Sequence, residues 1–126
     1  MSIIIFKIIY HMEYSSYLGL AFLEQYQLQK EILLNQNFFD LDNILSGGII
    51  SCSVTAPPTQ NVICGDKYII PGNAKSEWQN QIGRIALFSG KWKYITPKEG
   101  AVFWVIDVHT LIVYDRNQWR DLLTTR

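Results

Sequence analysis

Apolar side chains recur every three or four positions from about residue 16 to residue 45, a segment without proline and with one glycine, Gly19. This spacing is typical of one face of an α-helix. Ser15 or Ser16 is a suitable N-terminal cap, and the glycines of residues 46–48 end the pattern. The sequence therefore predicts one long N-terminal helix.

The apolar face of this predicted helix is interrupted by polar side chains in its middle. Either they are solvated where the helix projects from the body, or they form a buried polar layer between helices, where such layers set register. A helix of this length spans roughly 45 Å at 1.5 Å per residue, more than a small β domain covers. The candidate oligomer seam consists of Leu20, Leu23, Gln27, Lys30, Leu34 and Leu41.

Downstream of the glycine pair the pattern changes to short apolar runs between turns. Residues 55–58, Thr-Ala-Pro-Pro, force an extended connection. Residues 85–88 and 92–95 flank Ser-Gly-Lys, which is typical of a hairpin. One antiparallel meander is the economical topology, and we expect Trp104 in its core. The predicted fold class is α+β, with one long N-terminal helix followed by a small antiparallel β-meander domain.

The start of the chain differs from the rest. Residues 3–10 are apolar apart from Lys7, and no small-residue cleavage site follows them, so a secretory signal is the weaker interpretation. Because Met12 begins a segment of ordinary globular character, residues 1–11 are a possible non-native extension, with an extra strand or a docking arm as alternatives. We predict a helical assembly segment at 12–47 and a β domain at 48–126.

Composition limits the partners of this chain. Its 126 residues are 48% hydrophobic, which suits one globular domain. Eleven basic and eleven acidic side chains give zero net charge, so we expect no nucleic acid partner. No apolar run reaches the roughly 18 residues of a membrane span, and we expect no membrane insertion. Zero net charge and four tryptophans favour self-association.

Candidate chemistry is sparse. His11 and His109 have no nucleophile in a recognisable local motif, and Cys52 and Cys64 lack zinc-site spacing. No phosphate-binding glycine motif is present. We therefore expect free thiols, no metal, no cofactor and no enzymatic activity. The aspartates of the β half are typical turn residues, although paired carboxylates leave a glycosidase as an alternative.

Aromatic side chains are concentrated in the β half. Indole rings stack on the C–H faces of sugars, while acids and amides bind the hydroxyl groups. The candidate glycan surface consists of Trp92, Asp115 and Trp119, which follow or occupy turns. The alternative for each tryptophan is packing in the core, since a buried ring contributes roughly 150–250 Å².

An ordered set of short motifs covers about residues 17–119. The predicted helix carries Gln-x-Gln-Lys-Glu, then Asn and Leu-Asp. The β half carries Thr-x-Pro-Pro, a Tyr-Ile strand, Trp five residues before Gly, Trp-Val-x-Asp, and an aromatic-Asp turn before Trp. The residues that carry these motifs are Gln27, Gln29, Lys30, Glu31, Asn35, Leu41, Asp42, Thr55, Pro57, Pro58, Gly65, Tyr68, Ile69, Ile70, Trp78, Gly83, Ile85, Ala86, Trp92, Pro97, Gly100, Trp104, Val105, Asp107, Tyr114, Asp115 and Trp119.

This set resembles a domain of unknown function found in bacteriophage tail proteins and in tail-fibre-like proteins of gene transfer agents. The chain departs from the pattern at Gln36, where the family usually has Glu, and at Arg116-Asn117, where the glycine of the last turn is missing. A further proline is also missing from the loop between Pro58 and Gly65. These departures affect ligand specificity more than the fold.

The resemblance implies a non-enzymatic structural or adhesive component of a phage-like tail and supplies no catalytic residues. The implied partners are further copies of the chain in a homotrimer, other tail proteins and a host-surface glycan. The implied location is the particle tail, after assembly in the bacterial cytoplasm. The alternatives are a carbohydrate-binding module and a small enzyme that degrades envelope polysaccharide.

Overall fold

A computed structural model describes residues 13–15, 18–24 and 28–123 of the chain. The chain divides into two compact units between Leu45 and Ser46. Each unit is described by itself below. The predicted extension at 1–11, the cap Ser16 and the seam residue Gln27 lie outside the described residues.

The first unit contains helix α1, Lys30–Leu45. The segment before it is not helical, because Tyr14 and Ala21 form an antiparallel bridge. Gly19 and Gln29 have positive φ angles of 68° and 58°, which a right-handed helix does not accommodate. The prediction of a helix from residue 16 is therefore wrong over its first half.

The side chain of Asn37 fixes this bridge segment to α1. It accepts a hydrogen bond from the Ala21 N–H at 2.9 Å and donates one to the Ala21 carbonyl at 2.7 Å. Both backbone groups of a non-helical residue are thereby satisfied. Leu20 and Leu23 precede α1 and cannot continue a stripe along it.

The second unit holds two three-stranded antiparallel sheets in the described part of the chain. The first sheet has the order β1-β2-β3 and the second the order β4-β5-β6. Their bounds are Lys67–Ile69 for β1, Ile85–Phe88 for β2, Trp92–Ile95 for β3, Val102–Val105 for β4, Thr110–Asp115 for β5 and Gln118–Asp121 for β6. The mixed α+β class is confirmed, whereas the single meander is wrong.

The meander breaks between β3 and β4. Pro97 follows β3 and has no N–H to donate to a ladder. The N–H of Gly100 instead donates to the Tyr114 carbonyl at 2.8 Å, and Tyr114 donates to the Ala101 carbonyl at 2.9 Å. The chain before β4 is thus committed to β5 and does not pair with β3.

Residues 49–51 form a strap that joins the two sheets. Ile49 pairs in parallel with Val105, and Ser51 pairs in parallel with Tyr68. The strap is hydrogen-bonded on both sides, from Ile49 N–H to the Trp104 carbonyl and from Ile50 N–H to the Lys67 carbonyl, each at 2.8 Å. A Cβ at Gly48 would lie 2.7 Å from the Trp104 carbonyl oxygen, so only glycine fits where the strap begins.

One buried cluster of the second unit lies at the first sheet. Trp78, in the 3-10 helix Ser76–Gln81, is fully buried with Tyr68 and Ile70. Trp104, which we expected in the core, is 41% exposed. Successive strand residues point to opposite faces, and the buried neighbour Val105 takes the inner one. The expectation for Trp104 is therefore wrong.

Among the residues that the structure describes, no helix has the length and apolarity needed to cross a membrane.

Candidate functional site

The second unit contains an open cleft of about 610 Å³. Apolar side chains from the end of β1 and from the β1–β2 connection form one part of its wall. The β5–β6 hairpin supplies rings and amides. The lining residues are Cys52, Ile69, Ile70, Pro71, Gly72, Ile82, Gly83, Tyr114, Asn117, Gln118 and Trp119.

A tight turn places the amides at the cleft. Arg116 and Asn117 connect β5 to β6 with φ angles of 53° and 64°, the backbone of a two-residue type I′ hairpin. The Arg116 N–H donates to a Glu99 carboxylate oxygen at 3.1 Å, which anchors the turn. Asn tolerates a left-handed backbone better than most residues, so Asn117 suits this position.

Trp119 is held in a fixed orientation at the cleft. Its indole N–H donates to the Gly83 carbonyl at 2.9 Å. Its ring lies edge-on to Tyr114, with centroids 5.1 Å apart, and 6.0 Å from the ring of Phe103. The bond to Gly83 connects the second sheet to the β1–β2 connection. Because its N–H is already used, Trp119 offers a ligand its ring and no donor.

Cys52 is the one thiol in the lining. Burial raises the pKa of this thiol to about 11, and the negative charge of Asp107 adds to the increase. The group is therefore neutral near pH 7 and is not an activated nucleophile. The lining contains no carboxylate, imidazole, lysine or arginine. This arrangement suits binding of a neutral polar ligand and provides no acid–base pair.

The structure separates the three predicted glycan-surface residues. Trp119 lines the cleft, and Asp115 lies in the same hairpin, where its carboxylate is 3.5 Å from the Arg120 guanidinium. Trp92 belongs to the first sheet and contacts the buried Trp78 with ring centroids 5.4 Å apart. Trp92 is not part of the cleft lining.

The candidate glycan surface predicted from the sequence did not include Asn117 and Gln118, which also line the cleft. Asn117 lies in the turn, and Gln118 begins β6 directly before Trp119. A two-residue connection with Asn in it predicts a type I′ turn. This turn pattern was the sequence signal that could have placed Asn117 near Trp119.

The predicted seam residues fall on different parts of the first unit. Lys30 and Leu34 are exposed on α1, and Leu41 is half-buried there. Leu20 and Leu23 lie before the helix. Phe38 and Leu45 are also exposed and share the face of Leu34. We define the α1 stripe as Leu34, Phe38, Leu41 and Leu45, spaced four, three and four positions apart.

No group of three or more His, Cys, Asp or Glu side chains that could hold a metal ion occurs within the described ranges.

Comparison with known proteins places the chain in a family. No curated protein matches it. The family model described as a protein of unknown function (DUF2793) matches residues 34–120, more than two thirds of the chain. The match includes the whole cleft lining and most of α1. It confirms the expected membership in a domain of unknown function. The chain belongs to the DUF2793 family.

Proposed function

We propose that this protein is a non-enzymatic structural or adhesive component of a phage-like tail, whose second unit binds a host-surface glycan. The tail context rests on the resemblance of the ordered motifs described above. The adhesive role rests on the cleft. Assembly through α1 into a homotrimer, together with other tail proteins, forms the structural part of the proposal.

The lining of the cleft is the observation that carries the adhesive role. The Trp119 ring provides a surface for the C–H face of a sugar, and the amides of Asn117 and Gln118 provide donors and acceptors for its hydroxyl groups. A mostly apolar wall with a few convergent polar groups is the usual composition of a small-ligand site. The absence of charge in this lining favours a neutral sugar unit over an acidic one.

An array of immobilised bacterial envelope oligosaccharides tests the adhesive role. The full chain should bind a subset of them saturably. The double variant Asn117→Gly and Gln118→Ala removes both amides, and glycine retains the positive φ of the turn. Since the loss of hydrogen bonds to a sugar costs roughly 1–3 kcal/mol, we expect binding to weaken at least about fivefold.

The chain offers a matched control in Gln79→Ala and Asn80→Gly, two exposed amides of the 3-10 helix that lie outside the cleft. This variant should bind as the wild type does. Equal loss in both variants would remove the cleft from the proposal, and failure to bind any glycan on the array would refute the adhesive role. Release of free sugar from a bound glycan would instead support the enzyme alternative.

A further inference from the structure

One part of the cleft wall is apolar and belongs to β1 and to the β1–β2 connection. Ile69 and Ile70 are 3% and 1% exposed, so their side chains offer a ligand almost no surface. Pro71 is partly exposed and Ile82 is 50% exposed, so these two provide the apolar surface that a ligand can cover. We define the β1–β2 wall as the lining residues Ile69, Ile70, Pro71, Gly72, Ile82 and Gly83.

The backbone of the β1–β2 wall is largely paired within the protein. The Ile70 N–H donates to the Arg84 carbonyl at 3.1 Å, and the Ile70 carbonyl accepts from the Gly83 N–H at 2.9 Å. The Gly83 carbonyl accepts from the indole N–H of Trp119 at 2.9 Å, and Pro71 has no N–H. Because these groups are engaged before a ligand binds, this wall offers a sugar few new hydrogen bonds.

A sugar in this cleft therefore meets two surfaces of different chemistry. The β5–β6 hairpin offers the amides of Asn117 and Gln118 and the ring of Trp119. A hydroxyl group placed against Pro71 and Ile82 would lose its water and gain no partner there, which is unfavourable. A methyl group in the same place would bury apolar surface, which is favourable. The β1–β2 wall thus favours a ligand with one apolar substituent.

We propose that the sugar unit bound in the cleft is neutral and carries a methyl group, which packs against Pro71 and Ile82. This inference rests on the adhesive role proposed above and narrows the class of glycan. Two kinds of sugar supply such a methyl group: N-acetylated hexosamines in their acetamido substituent, and deoxy sugars such as fucose at their terminal carbon. Both kinds retain hydroxyl groups for Asn117 and Gln118 and a C–H face for Trp119.

The array of envelope oligosaccharides gives the first test of this inference. The glycans that the full chain retains should each contain an N-acetylated or a deoxy sugar unit. Retention of glycans that lack both kinds of unit, at equal strength, overturns the inference and leaves the adhesive role intact. A chain that retains no glycan at all refutes the adhesive role itself, so the two failures are distinguishable.

Titration calorimetry with matched sugars separates the two sources of the methyl group. One pair is an N-acetylglucosamine oligosaccharide and its N-formyl analogue, which differ by the methyl group alone. The other pair is a fucoside and the corresponding L-galactoside, which has a hydroxymethyl group in place of the methyl. In one of the pairs the methyl-bearing sugar should bind at least about fourfold tighter, as expected for burial of one such group. Equal affinities within both pairs, or tighter binding of the partners without the methyl group, overturn the inference.

Ile82→Ser tests where the methyl group binds. This variant removes the apolar surface of a half-exposed lining residue, so the preference for the methyl-bearing sugar should fall to about equal affinity. Ile63→Ser is the matched control, because Ile63 is 70% exposed and lies outside the cleft lining, and it should retain the wild-type preference. Circular dichroism should show both variants folded. A preference that survives Ile82→Ser unchanged contradicts the contact with the β1–β2 wall.

Discussion

Trp78 and Trp104 show how far one residue type can differ in its contribution to stability. Trp78 is fully buried, with its ring 5.7 Å from Tyr68, whereas Trp104 in β4 is 41% exposed. We expect Trp78→Ala to lower the free energy of unfolding by about 3–5 kcal/mol. Trp104→Ala should lower it by no more than about 1 kcal/mol. Urea unfolding followed by far-ultraviolet circular dichroism measures both values, and equal losses would contradict the burial described here.

Cys52 and Cys64 should differ in reactivity because of their surroundings. Cys64 is exposed, whereas burial and Asp107 raise the pKa of Cys52 from 9.0 to about 11. At pH 8 this increase lowers the thiolate fraction of Cys52 about 100-fold. Mass spectrometry after iodoacetamide treatment should therefore find Cys64 modified first. The Cys52 rate should rise about tenfold per pH unit up to about pH 11, and a plateau near pH 9 would contradict the raised pKa.

At the scale of single residues, the sequence predicts the chemical state of a side chain better than whether that side chain is buried. The free thiols of Cys52 and Cys64 and the presence of Asn117 in a turn follow from residue types alone. The burial of Trp78 does not, because a 3-10 helix of six residues has no apolar periodicity to mark its inner side. The alternation around Trp104 shows that Phe103 and Trp104 point to opposite faces, but it does not reveal which face meets the core.

Helix α1 is the element on which the assembly role depends. Its stripe of Leu34, Phe38, Leu41 and Leu45 has the spacing of a coiled-coil seam. We expect the wild type to form oligomers at tens of micromolar, and Leu34→Ser with Leu41→Ser should release monomers because polar hydroxyls replace the leucines of the seam. Light scattering coupled to gel filtration measures the mass.

Ile32→Ser is the control for the α1 stripe, because Ile32 is also exposed but lies on the opposite side of the helix. It should leave the oligomer intact. A monomeric wild type at tens of micromolar would refute the seam, and so would equal dissociation by Ile32→Ser.

The elements themselves were predictable to different degrees. Hairpins with glycine or asparagine in their turns, such as β2–β3 and β5–β6, follow from turn chemistry. The prediction was wrong over the first half of the helix, because the same apolar spacing also occurs in the segment that forms the Tyr14–Ala21 bridge. Its true limit depends on Asn37, whose side chain bonds to Ala21 far away in sequence. Contacts between residues far apart in sequence leave no periodic pattern. The parallel pairing of the strap could not be predicted from the sequence for the same reason.

For the molecule as a whole, the strap has a consequence for how the chain reaches its native state. The hairpins β2–β3, β4–β5 and β5–β6 form from local contacts, which is fast. Residues 49–51 pair instead with Tyr68 and, much later in the chain, with Val105. During synthesis the strap leaves the ribosome before β4 exists, so its edge stays open until most of the second unit has been translated. Joining of the sheets is thus the late step, and a chain that stops before Val105 presents an unpaired edge to chaperones and to other nascent chains.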